Sequence, residues 1–365
     1  MDKYTILSID GGGIKGLIPA AVLVELEKMI QKERGDKCKI GECFDFIAGT
    51  STGGILACLL LMPDLKNPGC ARFSAVDAQE LYLNHGDEIF DRSVWQIIAT
   101  GGGLADTKYD AKTLEHVLKK YFKETTLKEL IRPCLITGYD VRKYRPVFFT
   151  KHDADLNEES NFLVRDVARS TSAAPTYFEP ACPESLDDIP NATPVIDGGV
   201  FANNPTACAY VEALTKGRGL GKGVCPEEIV ILSLGTGRKA ETITLKQCRD
   251  WGIAGWARPL INIFMEGVAQ TVDYQMHSVF ASLEQRTCGD NAGNKPENPK
   301  NYLRIDGEFG DYKKNLDIDG LVPTMDCATK DNMRRLCFFG KQLVENNRKE
   351  LMTFVKNHLA IAVAI

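Results

Sequence analysis

Ser51 sits in Gly49-Thr50-Ser51-Thr52-Gly53, a G-x-S-x-G pattern between the apolar stretch 44–48 and a second, almost wholly apolar stretch that runs to Pro63. Strand, sharp turn and buried helix form the context in which such a serine acts as a nucleophile, because the turn holds its hydroxyl outward at the top of a sheet. The helix N-terminus behind it favours the negative oxygen that forms when an ester carbonyl is attacked. The same residues also read as a glycine-rich turn whose serine caps the helix.

A serine nucleophile needs a base, and imidazole is the usual one. His85 and His277 fall in helical patterns, His116 in a charged amphipathic helix, His152 in a polar loop and His358 near the C-terminus. None ends a predicted strand beside a conspicuous turn, so all five read as surface or core residues. Asp197 differs: it closes the run "VIDGG" and is followed by two glycines, at the sheet edge where Ser51 is expected. A carboxylate in hydrogen-bond reach and partly desolvated has a pKa raised far enough to take the serine proton. The alternative for Asp197 is an ordinary turn-forming Asp before Gly.

The third constellation is "SIDGGGIKG", where Gly11, Gly13 and Gly16 fit G-x-G-x-x-G. A dinucleotide site further requires an acid about twenty residues on, at the end of the second strand, to hold the ribose. The candidates, Glu33 and Asp36, fall in the polar end of a helix and the loop after it, and the second strand ends in "GTSTGG" instead. What Gly11, Gly12 and Gly13 offer is backbone N–H groups that converge on one oxygen, with Lys15 adding positive charge. That is an oxyanion hole in need of a nucleophile.

The elements that must position these residues follow from periodicity. Tyr4 to Ile9, 44–48, 133–140, 144–150, 193–201 and 228–237 read as strands, and 17–30, 77–90, 110–131, 162–170 and 204–216 as helices. Strands alternating with helices predict an α/β sheet covered on both faces. After about residue 250 the pattern turns helical, over 259–283 and 329–360, and 99–106 and 288–301 read as surface loops. The expected organisation is a hydrolase core over 1–245 and a helical extension over 246–365 packed on it.

Composition narrows the function. A net charge of −5 argues against nucleic acid as partner, because phosphate neutralisation needs a surplus of Lys and Arg. The 12 cysteines are scattered without a C-x-x-C pair and read as reduced thiols. No basic stretch followed by an apolar one opens the chain, and its longest apolar run is far short of a bilayer span, which predicts a cytoplasmic protein touching membranes from outside.

"SIDGGGIKG", "GTSTGG", "SAAPTYF" (172–178) and "VIDGGVFANNP" (195–205), in that order over roughly residues 4–240, resemble the signature blocks of the patatin-like phospholipases. The resemblance implies a three-layer α/β/α sandwich with a mainly parallel sheet, and hydrolysis of fatty-acyl esters of membrane phospholipids by a Ser-Asp dyad. By position it makes Ser51 the nucleophile and Asp197 the base. Gly11, Gly12 and Gly13 become the oxyanion donors, with Lys15 retaining the family's positive charge, and "SAAPTYF" a wall of the pocket. No metal or cofactor is implied. The C-terminal third carries no catalytic signature and is where the chain departs from the pattern. Without a leader, the chain sits nearer to intracellular, bacterial-type members. Some of those are effectors of antiviral defence, switched on by a cyclic nucleotide or by self-association into a homo-oligomer. Two rivals stand beside this reading: a dinucleotide-dependent oxidoreductase using the first glycine turn, and a binding or scaffold protein in which the dyad is only structural.

Overall fold

The apolar runs between the glycine-rich turns become strands of one sheet. The structure is a computed structural model that describes residues 3–89, 109–188, 192–219, 221–238, 243–288, 299–312 and 317–360. The strands are β1 (Tyr4–Ile9), β2 (Phe46–Gly49), β3 (Cys134–Asp140), β4 (Arg145–Thr150), β5 (Val195–Asp197), β6 (Ile229–Leu234) and β7 (Tyr302–Ile305). Their order is β4-β3-β2-β1-β6-β7, with β5 also on β3. From β3 to β7 along this order every pairing is parallel, whereas β4 and β5 run antiparallel to β3.

Helices cover both faces, as the central strands require. Successive residues of β1 and β6 point alternately into two cores, because side chains of a strand alternate between its faces. Leu7, Ile9, Val230, Leu232 and Leu234 enter the larger core, and Tyr4, Ile6, Ile229 and Ile231 the smaller. The helices that matter for the site are α1 (Leu17–Arg34), α2 (Thr52–Leu60), α3 (Ala75–Ile89), α4 (Ala111–Phe122), α5 (Val164–Thr171), α6 (Thr206–Lys216), α7 (Ile253–Cys288), α8 (Lys330–Asn346) and α9 (Arg348–Phe354). The larger core takes side chains from α1 to α5, α8 and α9; the smaller takes Ala209 and Ala213 of α6 with Met276 and Phe280 of α7. This is the expected three-layer α/β/α arrangement.

The C-terminal third departs from a purely helical extension. It contributes β7, which extends the sheet in parallel beside β6, with Ile231 opposite Tyr302 and Leu234 opposite Ile305. Leu336, Phe339 and Leu343 of α8 are fully or almost fully buried in the core that also holds Leu17 and Ile18 of α1. Gly340 makes that approach possible, since a methyl there would stand 2.6 Å from the Ile18 carbonyl oxygen. Residues after 245 therefore complete the core instead of covering a finished one.

Two helices end earlier than their periodicity suggests. The stretch 110–131 stops being helical at Phe122, where Lys123 takes φ 53°, and a separate capped turn follows at Leu127–Glu129. The stretch 329–360 breaks at Asn347, whose backbone lies outside the helical range (φ −109°, ψ 20°). The glycine-rich run 99–106 and most of 288–301 fall outside the described residues. Among the described residues, no helix is long and apolar enough to cross a membrane.

Candidate active site

Ser51 occupies the turn between β2 and α2 with φ 54° and ψ −126°, a left-handed conformation that costs a non-glycine residue on the order of 1–3 kcal/mol. The surroundings over-determine it. Its N–H donates to Thr171 Oγ1 at 2.8 Å, and its carbonyl accepts the N–H of Ile55 at 3.0 Å. Behind the turn the helix presses onto β1 so closely that a methyl on Gly53 would lie 2.2 Å from the Ile9 carbonyl oxygen. The Ser51 hydroxyl makes no cap bond to α2.

Asp197 reaches Ser51 through the register of β3. One edge of β3 is taken over its length by β4, and the other is shared: β2 pairs with Cys134 to Ile136, and β5 with Gly138 to Asp140. Because β5 runs antiparallel, its last residue, opposite Gly138, abuts the end of β2, whose Gly49 stands opposite Ile136. Ser51 and Asp197 are brought together at that junction. Thr50 Oγ1, within 2.7 Å of Thr137 Oγ1 and donating to the Ala202 carbonyl at 2.6 Å, ties the serine turn to the end of the short helix (Gly199–Ala202) that follows Asp197. The Asp197 N–H donates to Ala173 of the "SAAPTYF" segment at 3.0 Å.

The carboxylate is nearly inaccessible, at 1% exposure. Its Oδ1 accepts the Gly199 N–H at 2.7 Å, and among the described residues no group other than the Ser51 hydroxyl stands by to donate to its buried Oδ2. Burial pushes its pKa up to about 7, against the opposing pull of the Ser51 hydroxyl and the Gly199 amide, which favour the ionised form. A carboxylate tuned near neutrality, with one oxygen still able to accept a proton, has the properties of a general base.

The glycine turn after β1 needs one correction. The Gly11 N–H donates to the Asn203 carbonyl at 3.0 Å, so that amide is not available to an oxyanion. The N–H groups of Gly12 and Gly13 donate to no acceptor among the described residues. Gly13 has φ 60°, and a methyl there would sit 2.2 Å from the Met325 carbonyl oxygen, which accepts the Ile14 N–H at 2.8 Å. The Lys15 N–H returns to the Gly12 carbonyl at 3.2 Å.

Two cavities meet at this turn. Gly13, Ser51 and Asp197 line an apolar slot of about 50 Å³, walled by Leu81, Tyr82, Leu114, Val117, Tyr177 and Phe178. Gly11, Gly12 and the buried Lys15 line a polar cavity of about 680 Å³ that extends between α7 and α9. Met265 and Met325 border both. Lys15 therefore faces the polar side of the turn. His277 and His358 also line the polar cavity; His85 and His152 pair with Glu88 and Glu212 at 3.3 and 3.1 Å, and His116 is exposed. No histidine lines the slot that holds Ser51. Glu33 and Asp36, weighed for a ribose, pair with Lys356 at 3.8 Å and Arg34 at 3.0 Å instead. Among the described residues, no cluster suits a metal ion.

Sequence reasoning missed the supports of this site. Arg304 of β7 clamps Asp10, the residue before the glycines, at 2.9 and 2.6 Å, and also donates to Ser233 Oγ at 2.8 Å. Burial raises the Asp10 carboxyl to about 6 even with Arg304 opposing it, which still leaves the pair ionised at neutral pH. Thr171, Asn203 and Thr236 are likewise buried and bonded to the turns. The available signal was positional: "LGTG" ends β6, the strand beside β1, so Thr236 had to emerge next to the glycine turn.

Sequence comparison with known proteins gives the family. The family model described as patatin-like phospholipase matches residues 7–210, more than half of the chain. Patatin-like protein 1 of Oryza sativa subsp. indica is 34% identical over 94% of this chain and 81% of its own length. Patatin-like protein 1 of Arabidopsis thaliana is 32% identical over the same shares, and patatin-T5 of Solanum tuberosum 30% identical over 95% and 85%. These matches are too long to leave out the C-terminal third, so that region is common ground with the relatives and not a departure from them. A solved structure of human GIVD cytosolic phospholipase A2 aligns over 98% of this chain and 60% of that chain, with a TM-score of 0.47 and 10% identity. On the family model and the full-length relatives, the chain belongs to the patatin-like phospholipase family.

Proposed function

We propose that the protein is a serine lipid acyl hydrolase that cleaves fatty-acyl esters of phospholipids. The observation that carries this is the buried Asp197, with one oxygen held by Gly199 and the other, among the described residues, left to the Ser51 hydroxyl on its strained turn. Asp197 takes the Ser51 proton as Oγ bonds to the ester carbonyl carbon. The carbonyl oxygen becomes an oxyanion opposed by the Gly12 and Gly13 amides. The C–O bond to the alcohol then breaks, the alcohol leaves with the proton from Asp197, and an acyl-serine remains. Water repeats the sequence with Asp197 as base, releasing the fatty acid and returning the proton to Ser51.

The two cavities divide the substrate between them. The apolar slot takes the acyl chain, and the polar cavity beyond the glycine turn takes the polar part of the lipid, which a membrane surface presents. At about 50 Å³ the slot is well below the roughly 300–1,000 Å³ of ordinary ligand sites, so it widens before an acyl chain enters. Such a step is where an activating ligand or self-association would act.

The test is hydrolysis of phospholipid vesicles, with fluorophosphonate labelling, by the wild type and by Ser51→Ala. Both signals should fall to background in the variant; persistent labelling would assign the nucleophile elsewhere. A wild type without esterase activity would favour the scaffold reading, and NAD(P) binding by titration the oxidoreductase one. Adding cyclic dinucleotides to the same assay decides whether a ligand switches the enzyme: a rise in rate would establish it, and none would remove it.

A further inference from the structure

The glycine turn carries its own aiming device. In a trans peptide unit the C=O and N–H groups point in opposite directions, so holding one fixes the other. The Gly11 carbonyl accepts the Thr236 hydroxyl at 2.9 Å and the Asn203 side-chain amide at 3.3 Å. On its other side, the Gly11 N–H is held by the Asn203 carbonyl at 3.0 Å. The peptide between Gly11 and Gly12 is thus gripped, and the Gly12 N–H is turned away from Thr236 without a protein acceptor among the described residues. The same logic fixes the next unit, whose Gly12 carbonyl takes the Lys15 N–H at 3.2 Å.

The grip is tight and buried. Thr236 and Asn203 are 6% and 5% exposed. A methyl on Gly12 would lie 2.6 Å from Thr236 Oγ1, and one on Gly11 would lie 2.4 Å from Asn203 Oδ1 and 3.1 Å from Ser51 Cβ. Thr236 itself is fixed from the far edge of the sheet, because the Gly235 N–H donates to the Ile305 carbonyl at 2.9 Å and the Gly237 N–H to Asp306 Oδ1 at 3.0 Å.

We infer that Thr236 and Asn203 are positioning residues for the oxyanion hole: they hold the Gly11 carbonyl so that the Gly12 N–H is aimed at the ester carbonyl oxygen that turns negative when Ser51 attacks. The inference rests on the hydrolase reading above. Magnitudes separate it from a merely structural role. A neutral hydrogen bond adds little net stability, whereas losing one aligned oxyanion donor lowers kcat on the order of 10²–10³-fold. Removing the Thr236 hydroxyl should therefore cost far more in turnover than in folding.

The experiment compares wild type, Thr236→Val and Thr236→Ser on a soluble short-chain ester, with the fluorophosphonate labelling rate as a second readout. Valine keeps the branched shape without the donor, and serine keeps the donor without the methyl. The expected result for Thr236→Val is a kcat at least tenfold lower, with KM within twofold and labelling slowed in parallel, because the phosphoryl oxygen occupies the same hole. Thr236→Ser should recover most of the turnover. An active, Ser51-labelled wild type whose Thr236→Val variant turns over equally fast would overturn the inference. So would equal losses in the valine and serine variants, which would trace the effect to packing; if valine fails to fold, the serine variant decides, since a turnover below a tenth of wild type there has the same meaning. An inactive wild type would overturn the hydrolase reading first.

Discussion

The turns that carry the dyad and the region after residue 245 do different work on the same site. Ser51 and Asp197 come from short glycine-flanked segments in which the reacting group, the turn and the following helix are contiguous in sequence. Among the described residues, the C-terminal third holds neither of that pair. It supplies what keeps the glycine turn in place: Arg304 on Asp10, the Met325 carbonyl on Ile14, and β7 against the strand that delivers Thr236. Chemistry is concentrated in one region and its mechanical support in the other, so damage to each should be read out differently.

Asp197→Asn should break the first region most sharply. Removing the base should lower kcat/KM by on the order of 10²–10⁴-fold, measured on a soluble ester. The same variant should be more stable at pH 8. A carboxyl with an ordinary pKa near 3.8 when unfolded and about 7 when folded binds its proton more tightly in the native state. Its contribution is fully present below the unfolded value and is lost as pH rises toward 7, costing up to about 4 kcal/mol by the usual conversion of pKa to free energy. A higher melting temperature with lost activity would confirm that the site stores this cost. A lower one would show that Asp197 is held for the fold.

Arg304→Ala should do the reverse. It leaves Asp10 buried without its partner, and breaking a buried ion pair on one side costs about 3–5 kcal/mol. Denaturant unfolding should show that loss, while labelling of Ser51 in the molecules that remain folded declines much less than in Asp197→Asn. If activity vanished with stability intact, Arg304 would belong to the chemistry and the division between the two regions would fail.

The smallest effect is on pH dependence. The acid limb of kcat/KM should bend near pH 7, and the rate should fall about tenfold per unit well below it, as Asp197 takes up its proton. In Arg304→Ala the bend should stay near 7. A shift there would couple the two regions electrostatically.

Legibility followed the same division. The glycine runs declared the turns, and the alternation of apolar stretches declared the sheet, because strand, turn and helix are local events. β7 was not legible: "YLRI" is short, follows a polar stretch and becomes a strand only because β6 offers it an edge. Arg304 and Asn203 gave no sign for a related reason, since their roles depend on partners 294 and 192 residues away. The availability of three oxyanion amides was misjudged because Gly11 looks the same as its neighbours in sequence, and only the arrival of Asn203 removes its N–H.

The shared edge of β3 fixes more than the fold. Ser51 and Asp197 are both indexed on one strand, so their spacing is a count of residues along β3, fixed at about 3.3 Å per step. Neither can drift relative to the other unless a strand pairing slips, and a slip of one residue would turn Asp197 to the opposite face of the sheet. The spacing of Ser51 and Asp197 is therefore built into the sheet. On the proposed reading, control would have to act where the slot is narrow, at its walls of side chains and outer helices, and not on the spacing of the pair.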